Sequence, residues 1–320
     1  MKVGVLVFNL GGPETLRDVK PFLYRLFSDP EIIHVKWSPL RKAIAFAIAT
    51  LRRKTSEGYY RQIGGGSPLR RLTEEQSRAL AEELKRRGRN VETFVGMCTW
   101  RPFLHEAVHK IENANLDSLV ILPLFPQYSA TTTGSGFAVL RQLIDKHPAF
   151  KKLDVQWICS WPDHPTYIAS FVQSIQRELS KFPDPDRVHL LFSAHSIPES
   201  YVRNGDPYLE QTKKTVELIV DRLDRRNPYH LSFQSKIGPV KWLQPFTNDV
   251  IVQLGREDVD DVLVVPISFV SEHIETLYEL DILYKKVAAE AGVDNFRRVP
   301  ALNTDPTFIR ALADIVESTL

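Results

Sequence analysis

The feature that most constrains this chain is an alternation of two patterns. Eight short apolar runs, rich in β-branched and aromatic residues and bounded by breakers, recur between longer stretches of 3.6-residue period. The runs are residues 3–8, 92–97, 119–125, 155–159, 188–194, 231–235, 262–267 and 298–301. Several are almost continuously apolar, which suits parallel strands covered on both faces. The periodic stretches 73–87, 102–113, 133–146, 164–181, 208–226 and 272–291 predict helices, and Thr73 followed by Gln76 has the spacing of a capping box. Such alternation means an α/β fold with parallel sheets. Runs one to four fall within 3–159 and runs five to eight within 188–301. Two doubly wound domains of four strands each are therefore expected, 1–160 and 161–306, with a final helix at 307–320 able to pack on either, the first included. In folds of this kind ligands bind outside the carboxyl ends of the strands, so residues that follow strands come first in any search for chemistry.

Charge and cysteine content remove several classes. Forty-one basic residues against 39 acidic give a net +2, which argues against a dedicated nucleic-acid binder. Two cysteines, Cys98 and Cys159, are too few for a disulfide framework or a four-thiolate metal centre. The longest apolar stretch, 43–51, is nine residues, well short of the roughly 18–20 that span a bilayer. Met1-Lys2 leads straight into the first apolar run, so a targeting peptide is not expected and a cytoplasmic protein is.

The strand ends carry distinct residues. Asn9-Leu10-Gly11-Gly12-Pro13 follows the first run and matches neither a dinucleotide fingerprint nor a phosphate loop; a tight turn and a ligand contact are both open readings. Ser193-Ala194-His195-Ser196-Ile197-Pro198 ends the fifth run. An imidazole there is suited to accept a proton near neutral pH, the alternative being a loop histidine with a structural hydrogen bond. After the seventh run, a helix starting near Ser271 would put Glu272, Glu275 and Glu279 at i, i+3 and i+7, three carboxylates on one face. Such a row is a solvated face, a cap, or a site for a cation and protons. With His195 emerging from the same sheet, the set fits a cation held weakly and released, and it lacks the spacing of a tight zinc site. Trp242 sits in a Gly/Pro-rich loop, where it either walls an aromatic ligand or packs beneath its own loop. Residues 32–56 contain no acid and hold Lys36, Arg41, Lys42, Arg52, Arg53 and Lys54, a local +6 around the apolar stretch 43–51. That pattern suits a membrane surface or the anionic edge of an apolar ligand, or equally a buried helix with basic ends.

Taken together these motifs resemble ferrochelatases. The likeness runs along the whole chain and rests on Asn9-Leu10-Gly11-Gly12-Pro13, Tyr60-Arg61-Gln62-Ile63-Gly64-Gly65-Gly66-Ser67-Pro68, Pro126-Gln127-Tyr128-Ser129, Ser193 to Pro198, Gln234-Ser235-Lys236-Ile237-Gly238-Pro239, and Val265-Pro266-Ile267-Ser268-Phe269 leading to His273-Ile274-Glu275-Thr276-Leu277. The resemblance implies a chelatase-like fold of two Rossmann-like domains, with a porphyrin in the cleft between them. It also implies insertion of Fe(II) into protoporphyrin IX. The family's catalytic residues fall on His195, Glu275 and the neighbouring His273, and its metal-guiding positions on His195, Glu275, Glu272 and Glu279. Porphyrin contacts fall on Leu10, Tyr60, Trp242 and a propionate-binding arginine at Arg52 or Arg53, and 43–51 resembles the family's membrane-facing lip. Fe(II) and protoporphyrin IX are then substrates, with no tightly bound cofactor and no [2Fe–2S] cluster. The implied partners are a membrane surface on its inner face and an upstream enzyme that delivers porphyrin, with no nucleic acid among them. Glu272 stands where the family more often carries aspartate. Cys98 and Thr99 stand where it carries arginine and an asparagine or aromatic residue. The start at Asn9-Leu10-Gly11-Gly12-Pro13 favours the protoporphyrin type over coproporphyrin ferrochelatases, whose start is Tyr-Gly-x-Pro. Two further readings share the fold: a porphyrin or haem carrier without catalysis, and a nucleotide-binding regulator.

Overall fold

The computed structural model of the chain describes residues 2–33, 35–224, 226–238 and 240–320. His34, within the basic segment, and Pro239, which closes one of the motifs, lie outside the described residues. The eight strands are β1 (Lys2–Asn9), β2 (Asn90–Met97), β3 (Ser118–Pro123), β4 (Asp154–Trp157), β5 (His189–His195), β6 (Tyr229–Gln234), β7 (Asp261–Pro266) and β8 (Asn295–Arg298). They form two parallel four-stranded sheets of identical order, β2-β1-β3-β4 and β6-β5-β7-β8. The central strands are the apolar ones: β1, β3, β5 and β7 are buried along nearly their whole length, as strands covered by helices on both faces must be.

The chain divides into two compact units. Unit 1 runs to Phe125 and takes in Ser129–Ser160 and Leu312–Leu320; unit 2 is Pro126–Tyr128 with Trp161–Ala311. Leu6, Phe8, Ile121, Phe137 and Leu140 are among the residues that close a core of unit 1. Leu191, Ile251, Val264, Leu280 and Ala288 do so in unit 2. The final helix, Pro306–Glu317, ends in unit 1, where Arg87 donates to Asp314 at 2.7 Å and to Glu317 at 2.8 Å.

Two local expectations are corrected. The last strand is Asn295–Arg298, not 298–301. It is a sheet edge with alternating exposed and buried residues, so no apolar run marks it. The apolar Val299 and Ala301 are buried just beyond it, and Pro300 lacks the N–H to extend the ladder. The helix expected at Thr73 begins at Leu69. Thr73 lies a turn inside, where its hydroxyl donates to Leu69 O at 2.8 Å and accepts from Asn9 Nδ2 at 3.2 Å. It is a buried tie to the end of β1, not a cap.

In both sheets the first and third strands lie side by side while their crossovers lead to opposite sides. The carboxyl ends of β5 and β7 thus flank the switch point of unit 2, the place where an open α/β sheet leaves a crevice.

Candidate active site

Leu190 to Ala194 form the buried interior of β5 and deliver His195 as its last residue, at that switch point. The backbone of His195 is held from both sides. Its N–H donates to Ser268 Oγ at 3.2 Å, and its carbonyl accepts from Tyr208 Oη at 2.8 Å. Tyr208 Oη and Ser268 Oγ are 2.6 Å apart, closing a ring of three hydrogen bonds. Burial raises the Tyr208 phenol well above its ordinary value, so it stays a donor.

The imidazole Nδ1 lies 2.8 Å from Glu275 Oε2, and the two side chains are 34% and 21% exposed. A carboxylate accepts only, so Nδ1 carries the hydrogen and Nε2 carries the free lone pair. Among the described residues Nε2 has no hydrogen-bond partner. Burial works against the charged imidazole, but the Glu275 carboxylate beside it and Glu279 nearby outweigh this and raise its pKa. Burial likewise works against an ionised Glu275; His195 and His273 override it and hold the carboxyl well below the usual carboxylate range. This is a base oriented by an acid, the arrangement that lets an imidazole take a proton at one nitrogen while the charge is balanced at the other.

The acidic row does not sit as an α-helix would place it. Glu275–Tyr284 is π-helical, and Glu272 precedes it. In a π-helix, with its i→i+5 hydrogen bonds, residues i and i+4 lie nearly in line, which pairs Glu279 with Glu275. Gln234, at the end of β6, joins them: its Nε2 donates to Glu279 Oε2 at 2.8 Å and to Glu275 O at 3.2 Å. Ser193 fixes that amide by donating to Gln234 Oε1 at 2.7 Å. The Ser235 hydroxyl also donates to Glu279. Burial and the charge of Glu275 push Glu279 up to about 7 despite these donors. His273 donates from Nδ1 to Ser271 O (3.2 Å) and turns Nε2 toward Glu275 Oε2 at 3.8 Å.

Glu272 is not brought to this group, contrary to its expected place in the metal set. Its Oε1 accepts from Arg298 Nη1 at 2.8 Å and from the Ala301 N–H at 3.0 Å, and its Oε2 accepts from Thr276 Oγ1. Its oxygens are engaged by the end of β8, the loop that follows it and Thr276.

Trp242 is tied to the segment that leaves His195. Leu243 N–H donates to Ile197 O at 3.0 Å, Glu199 N–H to Lys241 O at 2.9 Å, and Pro198 faces Trp242 in an antiparallel bridge. The indole N–H is satisfied by Ile237 O at 3.0 Å, and the ring is half-buried. This leaves a flat apolar face one short loop from the imidazole.

The remaining expected contacts lie in unit 1. Leu10 follows β1, where Gly11 has φ +88° and a Cβ would come within 3.1 Å of the Trp100 backbone, so the turn requires glycine. The segment around 43–51 belongs to one 25-residue helix, Ser38–Gln62. Ala45, Ala49, Ser56 and Tyr60 are its buried face. The opposite stripe, Leu40, Ile44, Ala47 and Leu51, is apolar yet largely uncovered, with Leu51 81% exposed. Phe46 (56%) and Trp37 (66%) flank it. The helix is thus not buried. Among the described residues no helix is long and apolar enough to cross a membrane. Arg53 pairs with Glu57 at 2.6 Å on its own helix, whereas Arg52 packs over the Phe27 ring at 5.9 Å and makes no ion pair among the described residues. Tyr60, expected against the porphyrin, is only 5% exposed. Its carbonyl accepts the Gly65 N–H at 2.8 Å, so it packs into unit 1 and fastens the glycine turn.

Sequence reasoning passed over Tyr208, Arg298 and the role of Gln234. Gln234 could have been found as a polar residue ending a buried strand. Nothing local marks the other two.

A ferrochelatase family model matches residues 2–320. A curated ferrochelatase of Synechocystis sp. is 52% identical over 320 residues, covering 100% of this chain and 83% of that one. One of Nostoc sp. is 52% identical, covering 100% and 82%. Among solved structures, SirB from Bacillus subtilis with Fe3+ aligns with a TM-score of 0.57 at 12% identity, covering 100% of this chain and 96% of that one. CbiX, the terminal enzyme for siroheme biosynthesis in denitrifying bacteria, aligns at 0.53 and 13%, covering both chains fully. At such identities these two speak for the fold alone.

Proposed function

The chain belongs to the ferrochelatase family, and from that premise we propose which of its residues do the work. The reaction inserts Fe(II) into protoporphyrin IX, forming protohaem and releasing two protons. The free-base macrocycle holds those protons on pyrrole nitrogens inside a rigid planar ring, so insertion needs a base, a distorted ring and a metal stripped of water.

The observation that carries the assignment is the His195–Glu275 pair, 2.8 Å apart at the unit 2 switch point, with Nε2 unengaged. In our reading Nε2 accepts a pyrrole proton. Nδ1–H stays bonded to Glu275, whose charge balances the imidazolium as it forms. A positioned base of this kind contributes about 10²–10⁴-fold. Glu279, held by Gln234 and Ser235 on the same π-helical face, is the next group able to take a proton onward. Among the described residues no three such side chains gather as a metal site, so the imidazole and these carboxylates would meet Fe(II) one or two at a time, as borderline and hard donors to a transient ion. His195, with a smaller contribution from His273, keeps Glu275 ionised. Trp242 gives the macrocycle a flat wall that binds its face. In unit 1, Arg52 has the uncommitted guanidinium of the two candidates and is the one we assign to a propionate.

We also assign the uncovered stripe Leu40, Ile44, Ala47 and Leu51, with Lys36, Lys42 and Lys54 around it, to a peripheral contact with an anionic membrane surface. Placement on the inner face of the membrane, and receipt of porphyrin from an upstream enzyme, belong to the same proposal. An iron–sulfur centre has no part in it: two cysteines supply too few thiolates.

Loss of porphyrin fluorescence on anaerobic addition of Fe(II) tests the division of labour. Trp242→Ala should raise KM for protoporphyrin about tenfold, the weight of one lost aromatic contact of about 1.4 kcal/mol, and leave kcat nearly intact. His195→Ala should do the reverse. If the two variants show the same pattern, the assignment is wrong.

A further inference from the structure

We propose that Arg298 is a positioning residue for this reaction: it clamps the π-helical segment on both sides of Glu275 and so holds that carboxylate within hydrogen-bond reach of His195. The inference rests on the reading of Glu275 as the partner of His195.

Arg298 ends β8 and is 10% exposed. Its guanidinium grips Asp281 as a fork, Nε to Oδ1 and Nη2 to Oδ2, both at 2.7 Å. The third nitrogen donates to Glu272 Oε1 at 2.8 Å and to Val299 O at 3.2 Å. One planar cation thus bridges two carboxylates in fixed directions, a geometry lysine cannot reproduce. Glu272 lies three residues before Glu275 and Asp281 six after it. The anchors therefore hold the entry to the π-helical run and its second turn.

The site needs such a hold. A π-helix closes wide turns and is rare beyond a single turn, so its own backbone ladder is a weak guarantee of side-chain placement. This one runs for ten residues and carries Glu275 at its first position, with only the single helical residue Ile274 ahead of it to set its height. Glu272 is fixed further by the Ala301 N–H, by Thr276, and by its own N–H donating to Asn303 Oδ1 at 3.0 Å. The whole junction is thereby fastened to the loop after β8. Arg298 touches neither His195 nor Glu275 and acts only through the frame. This also accounts for Glu272: an anchor with its oxygens filled is not a ligand for iron. Removing the guanidinium would leave two carboxylates without their counter-charge, one of them well buried, and the junction would relax.

The test is steady-state Fe(II) insertion into protoporphyrin. Arg298→Gln should lower kcat by about 10–100-fold with KM for porphyrin within about twofold, the cost expected when a carboxylate is misplaced by an ångström. Arg298→Lys should recover only part of that loss, and Asp281→Asn should reproduce part of it. The decisive background is Glu275→Gln. If Arg298 works through Glu275, adding Arg298→Gln there should cost less than about threefold more. A full multiplicative loss in that background overturns the proposal, as does Arg298→Gln with lowered Tm and wild-type kcat. Should Arg298→Gln not fold, Arg298→Lys and Asp281→Asn carry the same comparison. Glu275→Gln with wild-type activity would instead refute the underlying reading of the pair.

Discussion

Replacing Glu275 by Gln keeps the shape of the side chain and removes its charge. In the structure that charge faces Nδ1 of His195 at 2.8 Å, within charge-assisted hydrogen-bond range, in a half-buried setting. A hydrogen bond to a charged group is worth about 1.5–3 kcal/mol net. The contact strengthens as the imidazole becomes imidazolium, so most of this energy belongs to the transition state and not to substrate binding. At 1.36 kcal/mol per tenfold, kcat should fall by about 10- to 150-fold, with KM for protoporphyrin little changed. A second signature concerns pH. Burial lowers the imidazole pKa and Glu275 raises it, with a net upward shift. Without the Glu275 carboxylate the downward influence of burial is opposed only by the smaller pull of Glu279, so the acid limb of the kcat profile should move to lower pH in Glu275→Gln. The assay is anaerobic Fe(II) insertion followed by porphyrin fluorescence across pH 5.5–8.5 (about the range that brackets an ordinary imidazole). A loss carried by KM, a kcat within threefold of wild type, or an acid limb that moves upward would refute the reasoning.

Two further outcomes lie outside the site. His189 Nδ1 and His230 Nε2 are 3.1 Å apart, and burial lowers both pKa values, that of His230 further through His189. With folded values below the unfolded value of about 6.5, the native state binds fewer protons there, so the pair's contribution is intact above that pH and drains away as pH falls through it. The double variant His189→Phe/His230→Phe should show a flatter Tm between pH 7.5 and 5.5 (about one unit either side of the unfolded value) than wild type; equal slopes would contradict this. On the lip, Leu51→Glu should weaken sedimentation with vesicles of anionic phospholipid by about tenfold or more, since it replaces an inserted apolar side chain by a like charge to the surface. Unchanged vesicle binding would remove the membrane assignment.

The α/β class and the two four-stranded parallel sheets were legible because buried parallel strands must be written as nearly continuous apolar runs. The exception is instructive. β8 is an edge strand whose polar residues leave no such run, and the apolar residues that do stand out, Val299 and Ala301, lie past its end. Thr73 misled for a related reason: a threonine inside a helix can bond back to the preceding turn, and its spacing to Gln76 then mimics a cap. At the site, His195 and the acidic row could be singled out from their place after strands, and Glu275 within that row only through the resemblance to ferrochelatases. The i, i+3, i+7 reading of the acids assumed α-helical geometry. A π-helix keeps Glu275 with Glu279 and drops Glu272, and the cause lies with Arg298, 26 residues further on. Tyr208 and Gln234 act through partners from other elements, and no local pattern announces a contact of that kind.

The central claim is that His195 takes a proton from a porphyrin already bound. The most direct measurement is a single turnover of His195→Ala: protoporphyrin is bound first, its affinity read from quenching of protein fluorescence, and Fe(II) is then added without oxygen. The account predicts affinity within about threefold of wild type and an insertion rate about 10²–10⁴-fold slower. An insertion rate near wild type, or a loss explained wholly by porphyrin that no longer binds, would contradict it.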